Sequence, residues 1–414
     1  MTDLVYSGTI ADPQLVARVR RSERRRRLVT LLLLAPSIAF VALLFIAPVG
    51  LFMFRSLDNS DISNALVRTA PALGRWDGRG PVPDEAYAAL SQDLFDIRND
   101  QRLPVLARRL NYNIPQFRGL IIRTAQRLET PRSGNDRERL IAIDSRWDDP
   151  KYWMVLRSER HALTSLYFLS ALDLQTTPTG EIARTPADTA IFVDLYLRTF
   201  LISGTVTLLC VALGFPVALT MASAPPGLSN FLLMLVLIPF WTSLLVRAMA
   251  WIVLLQSDGI VNQTLRVLGL TDKPIPLIFN RTGLYISMVQ VLLPFAILPM
   301  YSTIKGLPAD ITRAAASLGA KPYQRFIYVF LPQAAPGIIA GGVLVFVMSL
   351  GYYVAPALVG GPREQMIGYF IAYFTNSAVN WGMASALGVI LLVAVAILYA
   401  IVGKLTRFER LSRI

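Results

Sequence analysis

Six stretches of the chain are apolar over about the 20 residues that a helix needs to cross a hydrocarbon core: residues 28–54, 195–222, 230–255, 284–304, 333–358 and 383–402. Backbone groups in lipid must bond within their own segment, so each stretch is expected to be a helix. Prolines inside them, Pro216, Pro239, Pro294, Pro299 and Pro336 among others, predict kinks rather than straight rods. The fold class this predicts is an all-α integral membrane protein with six transmembrane helices. The first apolar run is too long for a secretory signal and lacks a small-x-small cleavage pattern, so it reads as a retained anchor.

Between the first and second spans the pattern changes. Residues 55–193 are polar and far longer than an ordinary connection, which predicts a small, mainly helical extracytoplasmic domain. Its segments 84–98, 103–129 and 148–173 alternate apolar and polar residues at roughly helical spacing, with Pro83 and Pro104 near starts. Two roles stay open for it: contact with a substrate-delivering partner, or a stabilising insertion.

Composition narrows the class. With 54% hydrophobic and 16% charged residues the chain is no water-soluble globule. Its net charge of +13 does not point to nucleic acid, because the arginines lie in the amino-terminal tail, the insert and the segments between spans. Cys210 stands alone in an apolar run and His161 alone in the insert, which leaves no disulfide framework and no metal site; His161 reads as a surface or core residue. Lysine and arginine also orient the chain. Arg18, Arg20, Arg21 and Arg24 to Arg27 hold the tail 1–27 in the cytoplasm. Lys305, Arg313, Lys321 and Arg325 put the loop 305–332 on the same side, with Lys404, Arg407, Arg410 and Arg413 in the tail 404–414. The expected order is thus tail 1–27, helix 28–54, insert 55–193, helices two to six over 194–403, and tail 404–414, with both termini cytoplasmic.

The most informative segment runs from Asp310 to Pro332. Asp310 suits the N-cap of a short helix through Leu318, Gly319 suits the left-handed residue that ends it, and Lys321-Pro322 opens a second helix. Ala314, Ala315 and Ala316 leave a narrow helix face that another backbone can approach. This segment resembles the hallmark of the inner-membrane permeases of binding-protein-dependent ABC importers: Glu-Ala-Ala, three residues, Gly, nine residues, Ile-x-Leu-Pro. Ala314, Ala315, Gly319, Leu331 and Pro332 match, Val329 stands for the isoleucine, and Arg313 replaces the glutamate with the opposite charge. Phe240 to Arg247 and Ala357 to Pro362 are similar to segments of the spermidine/putrescine-type permeases.

The resemblance implies the type I importer permease fold and an inner-membrane location. It also implies a set of partners: an ATPase dimer inside, a second permease, expected to be a different chain, and a periplasmic substrate-binding protein. ATP and magnesium would sit on the ATPase, and no cofactor is expected here; the chain has no G-x-x-x-x-G-K-[ST] phosphate cradle. Arg313, Ala314, Ala315, Gly319, Val329, Leu331 and Pro332 would form the ATPase-coupling loop. The substrate it implies is a small solute, a polyamine such as spermidine or putrescine. The spans offer no obvious carboxylate for a cation, so selectivity is expected to reside in the binding protein.

For the translocation path the candidates are Trp241, Thr242, Ser243 and Arg247. A charge inside an apolar span is costly and usually faces the protein interior. Arg247 has an alternative, reaching the interface near Trp251, and the other three have one in helix packing. Gly337 and Gly341 have the small-x-x-x-small spacing of close helix contact. An ion-coupled secondary transporter or channel is the rival reading; it is disfavoured because such coupling generally wants an acid or histidine within the spans. A membrane-embedded enzyme finds no H-E-x-x-H and no serine elbow.

Overall fold

The computed structural model describes Val29 and residues 32–128, 135–177 and 181–411. The basic stretch 18–27, Leu28, Glu129 and Arg413 lie outside the described residues. Among the described residues, six helical stretches are long and apolar enough to cross a membrane: Leu32–Phe54, Phe192–Ser223, Leu244–Val267, Arg281–Lys305, Pro322–Leu350 and Trp381–Ile401. Residues up to Arg55 form one unit and Ser56–Ile414 a second. The first unit contains α1 (Leu32–Phe54), whose wide turn at Ala42–Ile46 precedes Pro48. A turn of that kind accommodates a proline's missing N–H.

The second unit begins with the insert. Its helices are α2 (Ser60–Ser63), α3 (Thr69–Gly74), α4 (Asp84–Ile97), α5 (Arg102–Asn111), α6 (Phe117–Arg127), α7 (Asp136–Ile143), α8 (Pro150–Ser158) and α9 (Leu166–Ala171). A hairpin of β1 (Leu174–Thr176) and β2 (Ile182–Arg184) follows, pairing Gln175 with Ala183. The segment 103–129, whose spacing is roughly helical, is broken between α5 and α6 at Asn113–Gln116, where Gln116 takes a left-handed φ of 72°. Likewise 148–173 divides into α8 and α9 around the exposed His161. Trp147, Trp153, Tyr87 and Phe117 fill the insert's own core, and the Trp147 and Trp153 indoles each find an acceptor, Thr124 Oγ1 and the Trp147 carbonyl. Buried aromatics of this size dominate the stability of a small helical domain.

The membrane portion is built on α10 (Phe192–Ser223), α14 (Arg281–Lys305) and α16 (Leu331–Leu350), which pack on one another. On α16, Gly337 and Gly341 face α14: a Cβ at Gly341 would lie 2.7 Å from the Ala296 carbonyl oxygen. Only the absence of a side chain lets the two backbones approach this closely. The second apolar run of this region is discontinuous. α11 (Pro226–Leu237) passes into a 3-10 turn at Ile238–Trp241, Thr242 and Ser243 are extended, and α12 (Leu244–Leu255) restarts the helix. Pro239 is the cause, since it cannot supply the N–H that would continue α11. α13 (Ile260–Val267) follows.

After α14 come α15 (Ala309–Ser317), a turn at Pro322–Gln324 and a wide π-helical turn at Arg325–Phe330 that leads straight into α16. The expected fifth span of 333–358 therefore starts earlier and stops at Leu350, where Gly351 ends the helix; α17 (Val354–Leu358) is separate. α18 (Ile367–Asn376) and α19 (Trp381–Leu411) complete the chain.

The insert is fastened to the membrane helices. Asp173, at a left-handed φ of 55°, accepts from the backbone N–H groups of Ile191, Phe192 and Val193 at 3.0, 3.0 and 2.7 Å, capping α10. Tyr112 donates to the Ala378 carbonyl, and the Tyr167 ring lies against Gly382 at the start of α19. At the base, Asn59 N–H donates to Ala162 and Thr164 N–H to Leu57, at 2.9 and 2.8 Å, so the chain enters and leaves side by side. Since α10 starts at the insert and its Leu219 ends near Thr312, the insert and α15 occupy opposite ends of the bundle.

Candidate functional site

At the α15 end the sequence folds into a helix-turn-helix that projects from the bundle. α15 begins at Ala309 after Pro308, so Asp310 sits in its first turn rather than at the N-cap expected from the sequence. There it still complements the helix dipole, and its carboxylate lies 3.6 Å from the Arg313 guanidinium. Gly319 takes φ +84° with open space around it, and the N–H groups of Gly319 and Ala320 close onto the carbonyls of Ala316 and Ala315. That pattern ends a helix with a left-handed residue. The Gln324 side chain then accepts from Lys321 N–H at 2.8 Å and starts the following helix.

Arg313, Ala314 and Gly319 are exposed, as is Leu318 at 88%, whereas Thr312 and Ala315 turn inward. Val329, Leu331 and Pro332 belong to the helix leading into the bundle. The wide turn before Pro332 gives its ring room against the preceding carbonyls. The surface this presents is small-sided and protrudes, with one exposed leucine, suited to insertion into a socket on another protein.

The second candidate group lies far from the first, at the break between α11 and α12. Trp241 is 88% exposed, and Thr242 Oγ1 donates to the Pro239 carbonyl at 2.9 Å. Ser243 is exposed, and its carbonyl accepts from Arg247 N–H at 3.1 Å. Arg247, in the first turn of α12, is half-buried, and its Nε has no hydrogen-bond partner. Beside the break a cavity of about 660 Å³ opens between α10, α11, α12 and α14. Its polar lining is Trp251, Tyr285 and Gln290, with the Trp251 indole 3.4 Å from Gln290 Oε1. Trp241, Thr242, Ser243 and Arg247 are not among its lining residues. The structure thus brings together the residues expected to form the coupling loop and groups the four path candidates around one break, but it does not join the two groups. Gln290 went unnoticed in the sequence; a lone amide inside an apolar run was the available signal.

A third arrangement escaped the sequence reading altogether. Beneath Tyr167, Arg109 and Glu159 form an ion pair at 3.2 Å with side chains 6% and 3% exposed. Asn113 donates to Glu159 Oε1, Asn59 donates to the carbonyls of Glu159 and His161, and Arg109 lies 4.4 Å from the Tyr167 ring centroid. Burial pushes the Tyr167 hydroxyl up to about 12. Charges this deep persist only when paired and hydrogen-bonded. Residues drawn from Asn59, the segment 109–113, Glu159 and Tyr167 gave no local pattern to read.

Residues 214–410 match the family described as the binding-protein-dependent transport system inner membrane component. The chain is 36% identical over 208 residues to the spermidine/putrescine transport system permease protein PotB of Haemophilus influenzae, spanning 50% of this chain and 73% of that protein. It is also 36% identical over 234 residues to the inner membrane ABC transporter permease protein YdcU of Escherichia coli K12, spanning 53% and 73%. Among solved structures, a bacterial alginate ABC transporter in complex with alginate pentasaccharide-bound periplasmic protein matches 50% of this chain and 75% of that one, at 19% identity and a TM-score of 0.42. With this helical bundle, its six apolar spans and a relative of this identity and coverage, the chain belongs to the binding-protein-dependent transport system inner membrane components and is a multi-pass permease of the inner membrane.

Proposed function

We propose that this permease forms the translocation path of an ATP-driven importer for a small solute, a polyamine such as spermidine or putrescine, delivered by a periplasmic binding protein. The observation that carries the coupling part is the helix-turn-helix from α15 through Gly319. It protrudes at the end of the bundle opposite the insert, with Arg313, Ala314 and Leu318 on its free surface. An ATPase dimer, holding ATP and magnesium, would seat this knob in a socket, and closure of the dimer would move it against α10 and α16. A second permease, expected to be a different chain, would complete the path, and both termini would be cytoplasmic. The polyamine reading is supported by the relatives' named activity, and the absence of Asp and Glu from the six apolar runs of the sequence leaves cation selection to the binding protein. Trp241, Thr242, Ser243 and Arg247 are proposed to face the path where the apolar run 230–255 is broken, as irregular backbone at membrane depth is tolerated beside a cavity or within protein.

The test is co-purification of the tagged chain in mild detergent with mass spectrometry of what accompanies it, repeated with Gly319→Asp. An aspartate strains the left-handed turn and adds charge to the knob. The expected result is an ATPase subunit with the wild type and its loss from the variant. No ATPase in either sample, under conditions that preserve complexes, refutes the reading.

A further inference from the structure

On the inward side of α15 lies a second cavity, about 250 Å³, lined by Leu219, Thr312, Pro322, Arg325, Phe326 and Phe330. Arg325 is its one charged wall. The guanidinium has no hydrogen-bond or ion-pair partner among the described residues, and its Nε is buried without an acceptor. A donor in that condition is costly unless an anion meets it. The remaining walls are apolar apart from the Thr312 hydroxyl, with Phe326 stacked on Phe330 at 5.6 Å.

Position identifies the anion. The cavity sits where α10 ends and the chain leaves the bundle, and the segment that supplies Pro322, Arg325, Phe326 and Phe330 to it also carries Tyr323 and Tyr328, which are 57% and 73% exposed. Exposed tyrosines are at home at the headgroup level of a bilayer. Thr312 faces the cavity while Arg313, Ala314 and Ser317 are exposed, so a protein docked on the free surface of α15 leaves the cavity to the membrane. We infer that this cavity binds an anionic phospholipid, its phosphate on Arg325 and Thr312 and its glycerol and first acyl carbons against Leu219, Phe326 and Phe330. A soluble phosphate would meet the same guanidinium but would leave the apolar walls unused, and they make up most of the cavity. Bound there, the lipid joins the α15 knob to the root of α16, so the annulus of lipid acts on the element proposed to receive the ATPase. The binding site itself does not depend on that proposal.

The test is native mass spectrometry of the full-length chain, with whatever subunits accompany it, released from nanodiscs of phosphatidylcholine with and without phosphatidylglycerol. Wild type is expected to retain one phosphatidylglycerol that Arg325→Gln holds roughly tenfold more weakly. Leu219→Trp, which fills the cavity and leaves the arginine in place, should lose the lipid too, and Lys321→Gln, outside the lining, should keep it. Equal retention by Arg325→Gln, or equal retention of phosphatidylcholine by wild type, overturns the inference. Release of the lipid by excess inorganic phosphate also overturns it, in favour of a free-anion site.

Discussion

The Tyr167 ring occupies the space that any side chain at Gly382 would need: a Cβ there would run into Cδ2, Cε2 and Cζ of the ring. This contact joins the last helix of the insert to the first turn of α19, and it rests above the buried Arg109–Glu159 pair.

Gly382→Ala is expected to destabilise the protein by about 1–3 kcal/mol, the usual cost of overpacking. Gly204→Ala, inside α10 with nothing within 4 Å of its Cβ position, should be neutral or slightly stabilising. Thermal unfolding in detergent reads the difference. If both variants unfold together with wild type, the Tyr167 contact is not tight in solution.

Two adjacent glycines of α16 offer a sharper comparison. At Gly341 a new methyl group meets the Ala296 backbone oxygen at 2.7 Å, whereas at Gly342 it meets Val211 Cγ2 at an ordinary 3.6 Å. Gly341→Ala should therefore lower the unfolding midpoint by an amount equivalent to about 1–3 kcal/mol, and Gly342→Ala should leave it unchanged. Equal effects would mean that α14 and α16 are farther apart than described.

Asp173 holds three N–H groups at the start of α10. Asp173→Ala removes the cap and should cost on the order of 2 kcal/mol, the upper end for capping residues, with the left-handed φ adding to it. Asp173→Asn, which tolerates that backbone and keeps one acceptor, should cost less. Hydrogen exchange at residues 191–193 should accelerate in the alanine variant; unchanged protection there would show that the cap is dispensable.

The insert should weaken in acid through Asp144. Arg146, hydrogen-bonded through Nε at 2.9 Å and Nη2 at 2.7 Å, holds its carboxyl below the usual carboxylate range, with Arg123 at 3.0 Å adding to the effect. A depressed folded value means that the stabilisation is complete above the unfolded pKa of about 3.9 and fades as the pH falls through the folded one. Asp144→Asn should remove part of the slope of insert stability against pH below about pH 4 while lowering stability at neutral pH. Circular dichroism of the chain titrated with acid checks it, and an unchanged slope would assign the acid sensitivity elsewhere.

Much of this architecture is written in local pattern. Apolar runs of sufficient length marked the spans because lipid leaves a backbone little choice, and Gly319 and Pro322 marked the turn after α15 because few residues serve there. Hydrophobicity alone could not show that Pro239 divides a run, since half-helices and whole ones have the same composition. Nor could it show that α16 stops at Gly351, because Tyr352 to Leu358 remain apolar after the helix has ended. Within the insert, helical periodicity continued across Gln116 although the backbone reversed there. Among candidate sites, the segment proposed to couple to an ATPase could be delimited in sequence because its residues are contiguous, whereas the Arg109 network and the Arg325 cavity exist only once distant helices meet.

Because Asn59 bonds Ala162 and Thr164 bonds Leu57, the residues between them form a closed excursion that starts and finishes at one point of the chain. The anchors formed by Tyr167 and Asp173 lie beyond that point, on the side that continues into the membrane. The excursion is thus modular: a short linker from Asp58 to Leu163 would spare both anchors, and of the fastenings described only the Tyr112 bond to Ala378 would go with the removed part. A lineage can acquire or discard a domain attached in this way while its transmembrane helices keep their own course.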